Sequence, residues 1–189
     1  MKPVYVEKDG DLKHFIFNFY DSQDKETWEL KFEKINTISA SAFKNVTGLE
    51  KIFFDNELKI VKREAFANCE DLNLFCCCNL SNKKSREEEK SIVKNISISK
   101  TDKFAIEAFA FSECKNISTI VLPECKKLII EKGAFSGCSV LRSFVSFAEE
   151  IDFTENPFED CPESLTFVGK KNSGLERFAR EYGYRFIDD

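Results

Sequence analysis

Ala110-Phe111-Ser112-Glu113-Cys114-Lys115-Asn116-Ile117-Ser118-Thr119-Ile120-Val121-Leu122-Pro123 is the stretch whose reading decides the rest of the chain. An Ala-Phe pair is followed by Cys three residues after the Phe and by Ile three residues after the Cys. Ile120 and Leu122 then alternate with other residues, which is the period-2 signature of a short strand. Outward from this stretch the same string returns as AFKNV, AFANC, AFSGC and PFEDC, with Phe at 43, 66, 135 and 158. Successive Phe residues are 23, 45, 24 and 23 positions apart, a period near 23 with one double step. Other apolar residues keep the phase. Ile38, Val61, Ile106, Ile130 and Phe153 stand five residues before each Phe, and Leu49, Leu72, Ile117 and Leu141 follow the Cys-type position. The pairs Ile52/Phe54, Phe75/Cys77, Ile120/Leu122 and Phe144/Ser146 repeat the strand alternation.

The double step is expected to hide a degenerate unit. Val93, Ile96 and Ile98 lie 24 residues before Ile117, Ile120 and Leu122, so a strand is expected there. Its buried turn is replaced by Asn82–Lys90, NKKSREEEK. Charges cannot fill a buried Phe-Cys slot without a large desolvation cost. The unit should therefore keep its strand and bulge into solvent as a loop over 79–100, rather than serve as a docking site.

A unit of 20–29 residues with one strand is the leucine-rich-repeat class, a stacked solenoid in which each coil buries its apolar edge on the next. Small Ala lets coils approach, Phe stacks on the next coil's Phe, and Cys is a compact, weakly polar filler on the same face of a helical or 3₁₀ turn. The pattern AFxxCxxLxxIxLP, clearest in residues 110–123, resembles the BspA-like leucine-rich repeat, also called the Treponema pallidum-type repeat, over residues 35–187. Val46 stands for the first Cys and Pro157 for an Ala, and the degenerate unit lacks the motif. The resemblance implies a right-handed solenoid for protein or surface binding and adhesion, often on bacterial or protozoan cell surfaces, without enzymatic activity.

The expected fold is an α/β-type, strand-rich leucine-rich repeat solenoid of about six stacked coils, one of them degenerate. Each coil carries one short strand in a parallel sheet. Residues 1–34 should form a strand-rich N-terminal cap, with Asp9-Gly10 as a turn and alternation through Phe15, Phe17 and Phe19 and through Trp28, Leu30 and Phe32. The array spans 35–170. Residues 171–189 should form a helical cap, with Ser173 as N-cap, a stripe of Leu175, Phe178, Ala179 and Tyr182, and Gly183 at the C′ position.

Composition narrows the function. The 189 residues carry 28 Lys and Arg against 33 Asp and Glu, a net charge of −5, and 20 Phe. An acidic balance argues against nucleic-acid partners, and no apolar run suffices for membrane insertion. The one His, His14, sits opposite the Phe face of a strand, and no phosphate loop or nucleophile motif occurs, so neither catalytic residues nor a cofactor are expected. The N-terminus lacks a signal h-region, which on the sequence as given reads as cytoplasmic with cysteines as thiols. A trimmed precursor would instead place the chain at the cell surface or outside the cell. Asn45, Asn79, Asn95 and Asn116 head sequons that matter only in a eukaryotic secretory route.

Cys69, Cys114, Cys138 and Cys161 occupy the repeat position and read as structural; Cys125 lies in a connection. In Cys76-Cys77-Cys78, Cys77 should face inward, and Cys76 and Cys78 outward as exposed thiols. Their spacing is not that of a zinc site, so no metal is expected. The same alternation lines up Phe53, Cys76, Ser97, Val121 and Val145 across the coils, continued by Thr166 or Val168. The neighbouring row, Lys51, Leu74, Asn95, Thr119 and Ser143, is mostly polar. Phe53, Cys76, Val121 and Val145 are thus the partner-binding candidates if the stripe is exposed; flanking segments covering it is the equal alternative. The expected function is non-enzymatic recognition or adhesion toward another protein, or a host or cell-surface protein. The runner-up is a structural subunit that self-associates through the stripe as a homo-oligomer.

Overall fold

A computed structural model describes residues 4–8, 11–16, 28–32, 34–54, 57–79, 97, 98 and 100–188. The chain winds between two sheets. Sheet I contains β1 (Val4–Lys8), β2 (Asp11–Ile16), β4 (Thr37–Ile38), β6 (Ile60–Val61), β9 (Lys100–Ile106), β11 (Glu124–Ile130) and β13 (Glu150–Phe153), in that order. Sheet II runs β3 (Trp28–Phe32), β5 (Leu49–Phe54), β7 (Leu74–Asn79), β10 (Thr119–Val121), β12 (Ser143–Val145), β14 (Thr166–Gly169) and β15 (Arg185–Asp188). All pairings within this path are parallel except β1 with β2. From β4 onward each turn passes from a strand of sheet I through a Phe-centred turn to a strand of sheet II; the link from β2 to β3 lies outside the described residues. About six turns result: β2 to β3, β4 to β5, β6 to β7, β9 to β10, β11 to β12 and β13 to β14. Each turn thus carries two strands where the sequence pattern showed one. The apolar residues five before each Phe mark the sheet I strands, two of which are only two residues long.

The structure corrects the placement of the degenerate unit. Phe75 pairs with Ile120 and Val61 with Ile106, so β7 and β10 are direct neighbours, as are β6 and β9. No strand stands between them. β8 (Ser97–Ile98) instead lies antiparallel to Cys78 and Asn79 of β7. The sixth turn is the N-terminal one. Of the rest of the expected loop, residues 80–96 lie outside the described residues, as do 17–27 of the N-terminal segment.

Phe is chosen at the turn because its ring meets its equivalent in the next coil. Phe43, Phe66, Phe111, Phe135 and Phe158 form one stack with centroid separations of 4.8, 5.0, 5.3 and 5.1 Å and interplanar angles of 12° or less. Phe66 lies on Phe111 although 45 residues separate them, so the insertion adds chain without adding a rung. Edge-on contacts join this stack to the inward row of sheet II, as between Phe75 and Phe111 at 5.0 Å and between Phe135 and Phe144 at 5.4 Å. All these rings are essentially inaccessible to water. Each buried Phe contributes about 2–3 kcal/mol from area alone, with aromatic pairing adding to it.

The turns are themselves a hydrogen-bonded ladder. The Phe43 amide donates to the Ala65 carbonyl at 2.7 Å, Phe66 to Ala110 at 2.7 Å, Phe111 to Ala134 at 2.8 Å and Phe135 to Pro157 at 2.8 Å. Within a turn the bonds run from i+3 to i, as from Cys69 to Phe66 and from Ala67 to Glu64. Left-handed residues interrupt the spiral two places before and two after the Phe: Glu64 and Asn68, Phe109 and Glu113, Gly133 and Gly137. At Gly137, with φ of +75°, a side chain would also collide with the Glu113 carboxylate lying over it.

After the last turn comes α1 (Gly174–Glu181), as its sequence pattern predicts, and then β15, an unexpected strand within 171–189 that extends sheet II past the helix. Ser173 Oγ accepts from the Glu176 amide, and the Glu176 carboxylate accepts from the Asn172 amide at 2.6 Å and from Arg180 at 2.7 Å. Gly183, at φ of +77°, closes the helix. Its amide reaches the Arg180 carbonyl, and the next amide, of Tyr184, reaches Ala179 at 2.7 Å. Phe178 packs on Phe153, Phe158 and Phe167, so the helix covers the end of the ring stack.

Candidate functional site

The outer face of sheet II gathers the sequence-predicted residues. Phe53 pairs with Cys76, Cys76 with Val121, Val121 with Val145 and Val145 with Val168, so the four candidates form one unbroken row. Val168, not Thr166, continues it. Ser97 is not a member, because Cys76 and Val121 are adjacent and β8 is antiparallel.

The row is not exposed. Phe53 and Val168 are 8% accessible, Cys76 and Val121 1%, and Val145 0%. Leu74, Ile98 and Phe147 pack against them, forming a second apolar cluster separate from the solenoid core. The expectation of an open stripe is therefore corrected; the alternative, that the row is covered, is what its burial shows. An alternating strand reads the same whether its outer face meets water or another part of the chain, so the pattern could not separate the two. Phe147 was the available signal, being apolar and outside any inward repeat position, whereas Ile98 was in phase with the inward Leu122 and so pointed the other way.

Apart from Leu74 and the buried Thr119, the neighbouring row is the polar and more accessible part of this face. Glu29, Lys51, Leu74, Thr119, Ser143, Thr166 and Arg185 share one register. Lys51 pairs with Glu29 at 2.9 Å, and the Lys31 ammonium lies 5.9 Å from the Phe53 ring centroid. Asn95, expected in this row, lies outside the described residues, as does the side chain of His14.

The cysteines hold a role that the spacing did not reveal. Each repeat thiol donates to the carbonyl of the preceding turn's Phe: Cys69 to Phe43 at 2.9 Å, Cys114 to Phe66 at 3.0 Å, Cys138 to Phe111 at 3.2 Å and Cys161 to Phe135 at 3.3 Å. Cys is thus both filler and cap for a buried carbonyl. Burial keeps Cys77, Cys114, Cys125, Cys138 and Cys161 protonated. It pushes Cys77, Cys114 and Cys138 well above the ordinary thiol range, Cys125 to about 11 and Cys161 to about 12. Such thiols are poor nucleophiles and poor metal ligands at neutral pH. Cys76 departs from the expected exposed thiol twice over, being buried and disulfide-bonded. The Cys78 side chain lies outside the described residues.

Sheet I carries open grooves rather than a convergent site. Two, of about 410 Å³ each, flank Lys100–Lys103 of β9. Several of their charges are paired with one another: Asp102 with Lys126 at 2.9 Å, and Glu124 with Lys100 and Lys170, each at 3.0 Å. The Lys126 ammonium holds Asp102 below the usual carboxylate range; for Glu124 the Lys170 and Lys100 contacts do the same. Among the described residues no group of three or more His, Cys, Asp or Glu is placed to hold a metal ion, and no helix is long and apolar enough to cross a membrane.

The sequence profile of the BspA type leucine rich repeat region matches residues 17–73 and 88–176, in six copies. No curated protein and no solved structure matches the chain.

Proposed function

The chain belongs to the BspA-type leucine-rich repeat family, and from that premise we propose that it is a non-enzymatic recognition or adhesion module whose partner protein lies along sheet II. The family's repeats point to protein interaction or adhesion, and the solenoid is typically a scaffold rather than an enzyme. The observation that supports the surface is the pairing of two rows on one face. Lys51, Ser143 and Thr166 offer hydrogen bonds and charge along β5, β12 and β14, while the buried row from Phe53 to Val168 fixes those strands from the same side. A face stiffened in this way loses little entropy on binding, and repetition supplies contact area without a convergent polar site. Phe53, Cys76, Val121 and Val145 then act as support for the interface rather than as its contact atoms. Self-association through that row would require uncovering it, and its burial argues against this.

The test is binding of the purified chain to a panel of cell-surface proteins by biolayer interferometry. Lys51→Glu together with Ser143→Lys should lower affinity at least about tenfold, or about 1.4 kcal/mol. Lys103→Glu with Lys127→Glu, both on exposed positions of sheet I, should leave it unchanged. The opposite ranking would move the interface to sheet I and overturn the reading.

A further inference from the structure

Cys76 is disulfide-bonded and 1% accessible. Disulfides form and persist in oxidising compartments, whereas cytosolic thiols are kept reduced. Cys69, Cys77, Cys114, Cys125 and Cys138 are free, and packing shuts them away from oxidants. Cys161, half-buried, is turned onto the Phe135 carbonyl. One bonded cysteine among sealed thiols is the pattern expected of a chain that folds under oxidising conditions.

Asn45-Val46-Thr47 and Asn116-Ile117-Ser118 match the acceptor pattern for N-linked glycans. In both, the middle residue belongs to the core, Val46 at 5% and Ile117 at 0% accessible. The asparagine before it is thereby fixed on the outside. Asn45 and Asn116 are both exposed, each in a turn and neither in a strand. Asn45 Oδ1 accepts from Asn68 Nδ2 at 3.0 Å, so this contact uses the oxygen of Asn45 and not the nitrogen that a glycan would occupy. Both asparagines stand on the edge where the chain leaves the Phe turn for sheet II, ahead of β5 and β10 and two coils apart in the ring stack.

We infer that the chain passes through an oxidising secretory compartment of a eukaryotic cell and carries N-linked glycans on Asn45 and Asn116. Transfer from a lipid-linked oligosaccharide pyrophosphate forms a bond from Nδ2 to the sugar C1 and breaks the bond from C1 to the phosphate oxygen. The lipid pyrophosphate leaves, and the Nδ2 proton passes to a base of the transferase. The glycans cover one edge of the solenoid and stand on no strand of either sheet, so partner binding along sheet II neither requires nor excludes them.

The test uses the protein isolated from the cells that make it. Peptide-N-glycosidase should increase its electrophoretic mobility and convert Asn45 and Asn116 to Asp, read by peptide mass spectrometry. Behind a secretory leader in cultured eukaryotic cells, Asn45→Gln and Asn116→Gln should each remove one glycan step. Asn45 sits at φ of +62°, where Gln is strained, so Thr47→Ala serves as a second variant and should remove the same step as Asn45→Gln. In the denatured secreted chain, Cys76 should be alkylated only after reduction. A native chain with the mass of the bare sequence, glycans confined to other asparagines, a Thr47→Ala chain that keeps every glycan, or Cys76 alkylated without reduction would each overturn the inference. None of these results would touch partner binding along sheet II.

Discussion

The two sides of sheet II carry apolar rows of nearly equal length on the same strands. Inward lie Ile52, Phe75, Ile120, Phe144 and Phe167; outward lie Phe53, Cys76, Val121, Val145 and Val168. Both are buried, but in different company. The inward row interlocks edge-on with the Phe stack, so Phe75 and Phe144 are each held by the stacked ring of their own coil and by that of the next. The outward row belongs to a small cluster with Leu74, Ile98 and Phe147 and holds only one aromatic ring of its own, Phe53. Equal burial therefore does not mean equal structural weight. The inward row makes the solenoid; the outward row steadies one face of it.

The sharpest way to break this comparison is Phe111→Ala. It removes a ring stacked on both neighbours, and denaturant unfolding should show a loss of about 4 kcal/mol. Val145→Lys should come next, at about 3 kcal/mol, because a charge would be buried in the outward cluster without a partner. An exposed stripe would tolerate the same change within about 0.5 kcal/mol, so that result would return the row to the surface. The substitution is accordingly a probe of folding and not of partner binding.

Alkaline pH probes the thiols that link the turns. An unfolded thiol ionises near its ordinary value of 9.0, whereas burial holds Cys125 protonated to about 11 and Cys161 to about 12. Their contribution is therefore complete below about pH 9 and is lost as pH rises through 9 toward 12. The melting temperature should be flat in this respect below pH 9 and fall above it. Cys114→Ala should cost about 1 kcal/mol by removing the buried thiol that the Phe66 carbonyl accepts from alongside the Cys69 amide. The smallest effect should be a gain: Glu113→Gly, at φ of +59°, should stabilise by about 0.5 kcal/mol as relief of left-handed strain exceeds the added chain entropy.

The ring stack was legible because Phe43, Phe66, Phe111, Phe135 and Phe158 are tied to one spacing, and a coil that must bury its apolar edge can do so only against a neighbouring coil. The helix was equally legible, since Ser173 and Gly183 bracket an i, i+3, i+4, i+7 stripe. Two features were hidden. The sheet I strands β4 and β6 are too short to show alternation, so Ile38 and Val61 kept phase without announcing a strand. The unit at Val93, Ile96 and Ile98 kept phase as well, yet β7 and β10 pair directly across it. Spacing alone could not tell a coil within the stack from an excursion of equal length. The candidate row kept its order except for Ser97, which the direct pairing of Cys76 with Val121 leaves out, and of the two outcomes its pattern allowed, exposed or covered, the structure shows the covered one.

Phe and Cys periodicity by itself determined that coils stack and which side chains lie between them, because a residue type that recurs once per turn lands at the same place in every coil. Tertiary structure alone decided which coils are neighbours and which outward faces meet water. Those outcomes depend on contacts between segments far apart in the chain, such as Phe66 with Phe111 and Ile98 with the Val121 row, and local periodicity carries no record of them.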